Sequence, residues 1–200
     1  MVIMLMKSPF RVLAPLPFFL LTLLLLGDAS NPALAGQIEV QINNEAREIN
    51  AGAISLTGAA TGDPEATNTN TNSDQASIST SVTTNTNNAW VVDVVGSGDE
   101  GAFFPGDDQT EWFDRSSDRA TGAGSYKEAG NVGSHTMSQE HCNKLYPVIE
   151  WCNKFDSNRN AHVVASIPPA AGENIALDNM SGTSVTDTNT ISWSHTIGSG

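Results

Sequence analysis

The sequence predicts an all-β chain folded as an antiparallel β-sandwich. Three observations carry that reading. The run Ala89–Val95 (Ala-Trp-Val-Val-Asp-Val-Val) is the densest β-branched and aromatic stretch outside the N-terminal region, as expected of a strand with little of either face given to water. Around it lie shorter stretches in which apolar and polar residues alternate, the pattern of strands with one dry face. Gly, Asn, Ser and Pro clusters separate them at short intervals, as turns between strands require.

The first 35 residues stand apart. Lys7 and Arg11 precede the run Val12–Leu26, broken by Pro15, Pro17 and Thr22, and Ala33-Leu34-Ala35 follows before Gly36. A basic start, a short apolar centre and an A-x-A site are the parts of a secretory signal peptide, here residues 1–35, cut after Ala35. The apolar run of about 15 residues is short of the roughly 20 that span a bilayer. An uncut leader serving as an anchor is the alternative. The predicted localisation is therefore secreted, extracellular or cell-surface, with no membrane insertion once the leader is removed.

The chain has 200 residues and a formal net charge of −13. Such a surface repels nucleic acid and anionic lipid, so neither is expected as a partner. Its two cysteines, Cys142 and Cys152, are expected to pair in an oxidising compartment. The small loop so closed is worth about 2–3 kcal/mol on the chain-entropy account. The rival is a metal site with His135, His141 and His162, but that spacing matches no zinc pattern.

Taken in order, Gln37–Ile42 alternates with Ile38, Val40 and Ile42 on one face. Asn43–Asn50 is polar, and Ala51–Gly58 forms a second strand around Ile54 and Leu56. Thr61–Asp74 loses the pattern in Thr67-Asn68-Thr69-Asn70-Thr71-Asn72 and is expected as an exposed loop. Three Thr-Asn dipeptides are too few for a β-helical or ice-binding face. Ala76–Val82 alternates again and, across the turn Asn85–Asn88, is expected to form a hairpin with the Ala89–Val95 strand. Asp93, in the middle of that strand, is read as outward-facing or hydrogen-bonded near an edge rather than as a catalytic carboxylate.

Gly96–Asp108 is the most loop-like stretch. Its Asp99, Glu100, Asp107 and Asp108 could converge on a hard cation, although acidic residues beside glycines are also what a solvated loop carries. No cofactor is called for, and calcium is the one candidate ion, at Asp99, Asp107 and Asp108. In Thr110–Asp114, Trp112 and Phe113 are expected on opposite faces of a strand. An exposed Trp112 beside the acidic loop would suit stacking on a sugar; the plainer reading is a Trp capping the core.

Short strands follow at Gly124–Glu128 and Ser134–Ser138. Gln139–Asp156 holds both cysteines and a helically spaced Leu145, Val148 and Ile149, so it reads as a short helical or disulfide-closed insertion. Ala161–Ile167 returns to strand, stopped by Pro168-Pro169, with His162 packed or at an edge. Asn174–Asp178 and Thr188–His195 are two further strands. The sextet Thr190-Ile191-Ser192-Trp193-Ser194-His195 echoes Thr136-Met137-Ser138-Gln139-Glu140-His141 at Thr, Ser and His. The domain plan is a sandwich over 36–172, the C-terminal part of a repeat, and the start of a second, truncated repeat over 173–200.

Trp90–Gly96, the Gly124–Ser138 passage ending Thr-Met-Ser, and Asn158–Ser166 resemble the closing half of a repeat found in uncharacterised secreted bacterial proteins and phage tail-like proteins. Ile191–Gly200 resembles the opening of the next copy. The resemblance spans roughly residues 37–200. It implies a lectin-like jelly-roll sandwich, truncated and incomplete, and brings no catalytic residues with it. The chain departs from the pattern where the first half of the upstream repeat is missing before Gln37 and where Gln139–Asp156 interrupts it.

Among functions, the sequence has no Gly-x-Ser-x-Gly, His-Glu-x-x-His, phosphate-loop or dinucleotide motif. The leading expectation is a secreted, non-catalytic surface or matrix module binding polysaccharide or a partner protein through loops, with Trp112, Asp99, Glu100, Asp107 and Asp108 as the ligand patch. A structural spacer repeat without ligand is the second reading, and it expects Trp112 to be buried. A glycoside hydrolase using two of Glu111, Asp114 and Glu140 is the third.

Overall fold

A computed structural model describes residues 2–4, 25–27, 36–73, 75–117, 120–142 and 159–195, with side chains over 49–184 of that set. Among the described residues there are twelve strands and no helix. They are β1 (Val2–Met4), β2 (Leu25–Gly27), β3 (Gly36–Thr57), β4 (Ala66–Ser73), β5 (Ser77–Thr84), β6 (Trp90–Ser97), β7 (Ala102–Pro105), β8 (Thr110–Ser116), β9 (Thr121–Glu128), β10 (Gly133–Cys142), β11 (Arg159–Ile167) and β12 (Ala176–His195). They form three sheets: a central one in the order β4-β11-β6-β9-β8, an outer one β5-β10-β7, and a long-strand sheet β12-β3-β1-β2. Every strand pairing within them is antiparallel.

β6 sits in the middle of the central sheet and is buried at all eight positions. Its alternation sorts the core into two slabs. Trp90, Val92 and Val94 pack with Ile54, Leu56, Trp112, Phe113, Ala165, Ile167 and Ile175, which joins the central sheet to the long-strand sheet. On the opposite face Val91 packs with Val82, Met137 and Val164, and Val95 with Ile78, Phe103 and Ala123, which joins it to the outer sheet. Each large apolar side chain so buried contributes about 1.5–3 kcal/mol. The sandwich predicted from sequence is thus present, with a third layer.

Several boundaries differ from the sequence reading. Gln37–Ile42 and Ala51–Gly58 are one strand, β3, and the two C-terminal strands are likewise one, β12. The two pair from Ala176↔Thr57 to His195↔Gly36, with register shifts at Leu177/Asn179 and Thr188/Thr190. Backbone pairing does not depend on side-chain polarity, so the polar stretch between the apolar ones stays in the ladder; the second shift absorbs its extra residues. Residues 176–195 therefore share a sheet with the first long strand. β5 and β6 are not a hairpin: β5 pairs β10, whereas β6 pairs β11 and β9. β5 alternates exposed and buried residues along its whole length, which suits an outer layer; β6 needs cover on both sides. Within the loop-like Gly96–Asp108, Ala102–Pro105 is strand β7. Gln139–Cys142 continues β10, and the rest of the expected insertion lies outside the described residues.

The Thr-Asn tract is the largest correction, since it forms edge strand β4 rather than a loop. Thr67, Thr69 and Thr71 face water, while the Asn side chains turn toward β5. Asn68, Asn70 and Asn72 donate through Nδ2 to the carbonyls of Ser81, Ser79 and Ser77 at 2.7, 2.8 and 2.8 Å. Asn68 and Asn70 also accept, through Oδ1, the N–H of Thr69 and Thr71 at 2.9 Å. The tract buries no apolar side chain, so its order comes from these bonds and from the backbone ladder to β11. They tie the central sheet to the outer sheet and occupy amides that an edge strand would otherwise offer to another chain.

Asn70→Ala removes two such bonds at an exposed site and should lower stability by about 1–2 kcal/mol, read from urea unfolding. Replacing Asn68, Asn70 and Asn72 together should also cause concentration-dependent self-association in light scattering; a fully monomeric triple variant would show that the ladder does not guard the edge.

Candidate functional site

The chemically richest cluster is built around Asp93, the polar residue inside the apolar run. It is fully buried (0 %), as is His162 (0 %), and β6 is central, so the expectation of an edge position is corrected while that of a hydrogen-bonded residue stands. Asp93 Oδ1 accepts from Ser125 N at 2.6 Å, Ser125 Oγ at 2.8 Å and Gln139 Nε2 at 3.2 Å. Oδ2 accepts from Gln139 Nε2 and His162 Nε2, both at 3.0 Å. His162 Nδ1 lies 2.9 Å from Thr80 Oγ1. A neutral imidazole donating from Nε2 to Asp93 and accepting Thr80's hydroxyl proton at Nδ1 satisfies both ring nitrogens.

Local structure explains the convergence. Asp93 pairs with Ser125 on β9 and Val164 on β11, so His162, two residues along β11, shares its face. Thr80 and Gln139 come from β5 and β10 across the layer. Gln109, from the turn after β7, extends the network, donating from Nε2 to Ser125 Oγ at 2.7 Å and accepting Ser138 N at 2.7 Å. Carboxyl, imidazole and hydroxyl in series are the parts of a nucleophilic triad. Here they are sealed between two sheets and directed at one another.

The residues selected from sequence are placed as follows. Trp112 is buried (5 %) in the core and is not an exposed platform. A bulge between Glu111 and Phe113 in the β8–β9 register cancels the expected alternation, so Trp112 and Phe113 point the same way, with ring centroids 4.5 Å apart. They lie over glycines: a Cβ at Gly52 would sit 2.7 Å from both rings, and one at Gly124 2.6 Å from Trp112. Asp99 and Glu100 precede β7 whereas Asp107 and Asp108 follow it, about 13 Å of strand apart. Asp108 pairs with Lys127 Nζ at 2.7 Å. Among the described residues no group of three or more acidic, His or Cys side chains could hold a metal ion, so the structure does not bring the calcium carboxylates together. His135 contacts Asn131 O at 2.9 Å and His141 packs against Phe103, so the three histidines face different surroundings. Cys142 is buried at the end of β10; Cys152, and with it the expected bridge, lies outside the described residues.

Of the three carboxylates weighed for hydrolysis, Asp114 is turned into the seam between β8 and β7, where its Oδ2 accepts Phe103 N at 3.3 Å. Its Oδ1 has no hydrogen-bond partner among the described residues. Burial, then the nearby Glu111 carboxylate, push it up from 3.8 to about 6, against the pull of Phe103 N and Arg115. Glu111 is also raised, by burial. Glu140 lies in the outer sheet, opposite Phe104. Glu65 behaves oppositely: burial raises it, but bonds from Ser166, Thr86 and Asn85 outweigh this and hold it below the usual range.

The sequence reading missed Ser125 and Gln139 as partners of Asp93, and Thr80 as the partner of His162. The available signal was Asp93 itself, since a carboxyl in a strand buried on both faces requires donors from its neighbours. Compared with protein-family models, curated proteins and solved structures, the chain matches none.

Asp93→Ala strands donors from three residues in the core and should cost at least about 3 kcal/mol, measured by urea unfolding; a loss under 1 kcal/mol would mean the network is not a fastening. Gly124→Ala, which drives a methyl into Trp112, should cost about 1–3 kcal/mol or more. For Asp114, the folded state holds a proton that the unfolded chain releases near 3.8. Its contribution is therefore greatest at low pH and is lost as pH rises through the window up to about 6. Asp114→Asn should raise the melting temperature by roughly a few degrees at pH 7 and little at pH 4.5; an equal change at both would contradict the shift.

Proposed function

We propose that this chain is a secreted, non-catalytic surface or matrix module that binds polysaccharide or a partner protein. Its fold on this reading is a lectin-like jelly-roll sandwich from a truncated repeat array, with residues 1–35 as a cleaved leader. The observation that carries the non-catalytic part is the closure of the Asp93–His162–Thr80 array. Asp93 and His162 have no exposed surface, and the array's polar atoms bond to one another rather than toward a cleft. Nucleophilic catalysis needs such groups within reach of substrate. Chemistry offered to a partner is then the chemistry of the outer surfaces, which suits a binding module.

The spacer reading keeps one specific support, the burial of Trp112 that it expects. The two are separated by screening the exported chain on a glycan array, in calcium and again in EDTA. Retention on glycans independent of EDTA is the expected result. Loss of binding in EDTA would restore a cation to the acidic loop, and the absence of any binding by folded protein would favour the spacer.

A further inference from the structure

We propose, resting on the module reading above, that the outer face of the β5-β10-β7 sheet is the ligand surface and that its ligand is an uncharged polysaccharide chain. The face carries two ranks of hydroxyls set directly opposite one another: Thr83 with Ser134, Ser81 with Thr136, and Ser79 with Ser138. The β5 members are exposed, as are Ser134 and Thr136. Alternating residues of the same strands, Ile78, Thr80, Val82, Met137 and Gln139, are buried beneath them, so the hydroxyl ranks lie on the outward face of a packed layer, which Ser77 and Glu140 continue as the next pair. By sheet geometry the hydroxyls repeat about every 6.7 Å along a strand and about 4.8 Å across.

Each hydroxyl can both donate and accept, which matches the hydroxyls of a sugar chain; Ser81 and Thr136 share one such bond with each other at 2.7 Å and keep their remaining capacity outward. The six hydroxyl positions carry no formal charge, and the next outward position on β10 is the carboxylate Glu140, in a chain whose net charge is −13. A polyanion is therefore repelled by the surroundings. At one end stands Phe104 on β7, 46 % exposed and the one Phe, Tyr or Trp among the exposed large hydrophobic side chains of the described residues. It pairs with Glu140 on β10 and offers an apolar ring face for stacking on a sugar. The surface is held in place before any ligand arrives. β5 is laddered to β10 on one side and fastened by Asn68, Asn70 and Asn72 on the other. Lys127 clamps β10 through Thr136 O at 2.7 Å. A preorganised face loses less entropy on binding.

The test is retention of the full chain on insoluble chitin and cellulose, with alginate as the anionic comparison. Phe104→Ala and Ser79→Glu are compared with Thr69→Glu, an exposed position on β4 outside the ranks. Wild-type protein and Thr69→Glu should be retained on chitin or cellulose, and Phe104→Ala and Ser79→Glu should bind at least tenfold more weakly with unchanged melting temperatures. Undiminished binding by both variants would overturn this face while leaving the module reading intact. Retention on alginate alone would overturn the uncharged ligand. Absence of retention on any of the three would overturn the proposal together with the polysaccharide part of the module reading. Arrest of ice growth without polysaccharide binding would assign the hydroxyl ranks to ordered water instead.

Discussion

A strand that is dry on both faces must be covered on both, and β6 imposes that requirement on the whole molecule. Its eight buried residues divide between two slabs, each needing an apolar layer of its own. The long-strand sheet meets one slab with Ile54 and Leu56, and the outer sheet meets the other with Ile78, Val82 and Met137. The polar cost of placing Asp93 in this strand is offset by five hydrogen-bond contacts to Ser125, Gln139 and His162. Because those donors come from three strands in two sheets, the network also fixes how the sheets are aligned. An apolar side chain at position 93 would bury as well but would not select one register.

Packing explains the faces of the layers, and a separate set of bonds explains their edges. On one side of the central–outer pair the Asn ladder joins β4 to β5 without a shared backbone ladder, and Glu65 gathers Ser166, Asn85 and Thr86 at its end. On the other side Asp114 takes Phe103 N and Ser116 Oγ takes Gly101 N, joining β8 to β7. The two seams respond to pH in opposite senses. Glu65 is held ionised by its donors, whereas Asp114, short of donors and beside Glu111, favours its proton. Acid therefore weakens the first fastening and relieves the second.

Where side-chain pattern dictates structure, the sequence was sufficient. The Ala89–Val95 run, the alternation of Ala76–Val82 and the Pro168-Pro169 stop all correspond to strands or strand ends in the structure. The failures share a cause, which is that ladder bonds and side-chain-to-backbone bonds leave little trace in hydropathy. The Thr-Asn tract has nothing apolar to reveal it as a strand, and Asn43–Asn50 stays in β3 because β12 runs beside it. The β5–β6 hairpin is absent for a different reason: β5 has one dry face and lies in the outer sheet, whereas β6 is dry on both faces and takes β11 and β9 as neighbours in the central one. The candidate site was legible at Asp93 and His162 and illegible at Gln139, whose role depends on β10 crossing above β6. Trp112 was misplaced by a single bulge, which no residue in Thr110–Asp114 announces.

That bulge also decides what the aromatic surface of β8 covers. With Trp112 and Phe113 both turned onto Gly52 and Gly124, the aromatic surface of β8 is spent on joining two layers. The glycines are part of the same device, since any side chain there would hold the sheets apart. The long-strand sheet thereby covers the β8–β9 part of the central sheet. The outer sheet is different, because one face meets the core and its other face has no covering layer among the described residues. Its outward positions are Ser and Thr at nearly every step, in strands whose inward positions are Ile, Val, Thr and Met. A solvated face in so acidic a chain would ordinarily carry a share of the charge. Three outward positions on each of β5 and β10 carry hydroxyls, and the carboxylate of Glu140 follows them on β10 opposite Phe104, so charge enters that face at the β7 end rather than among the paired hydroxyls.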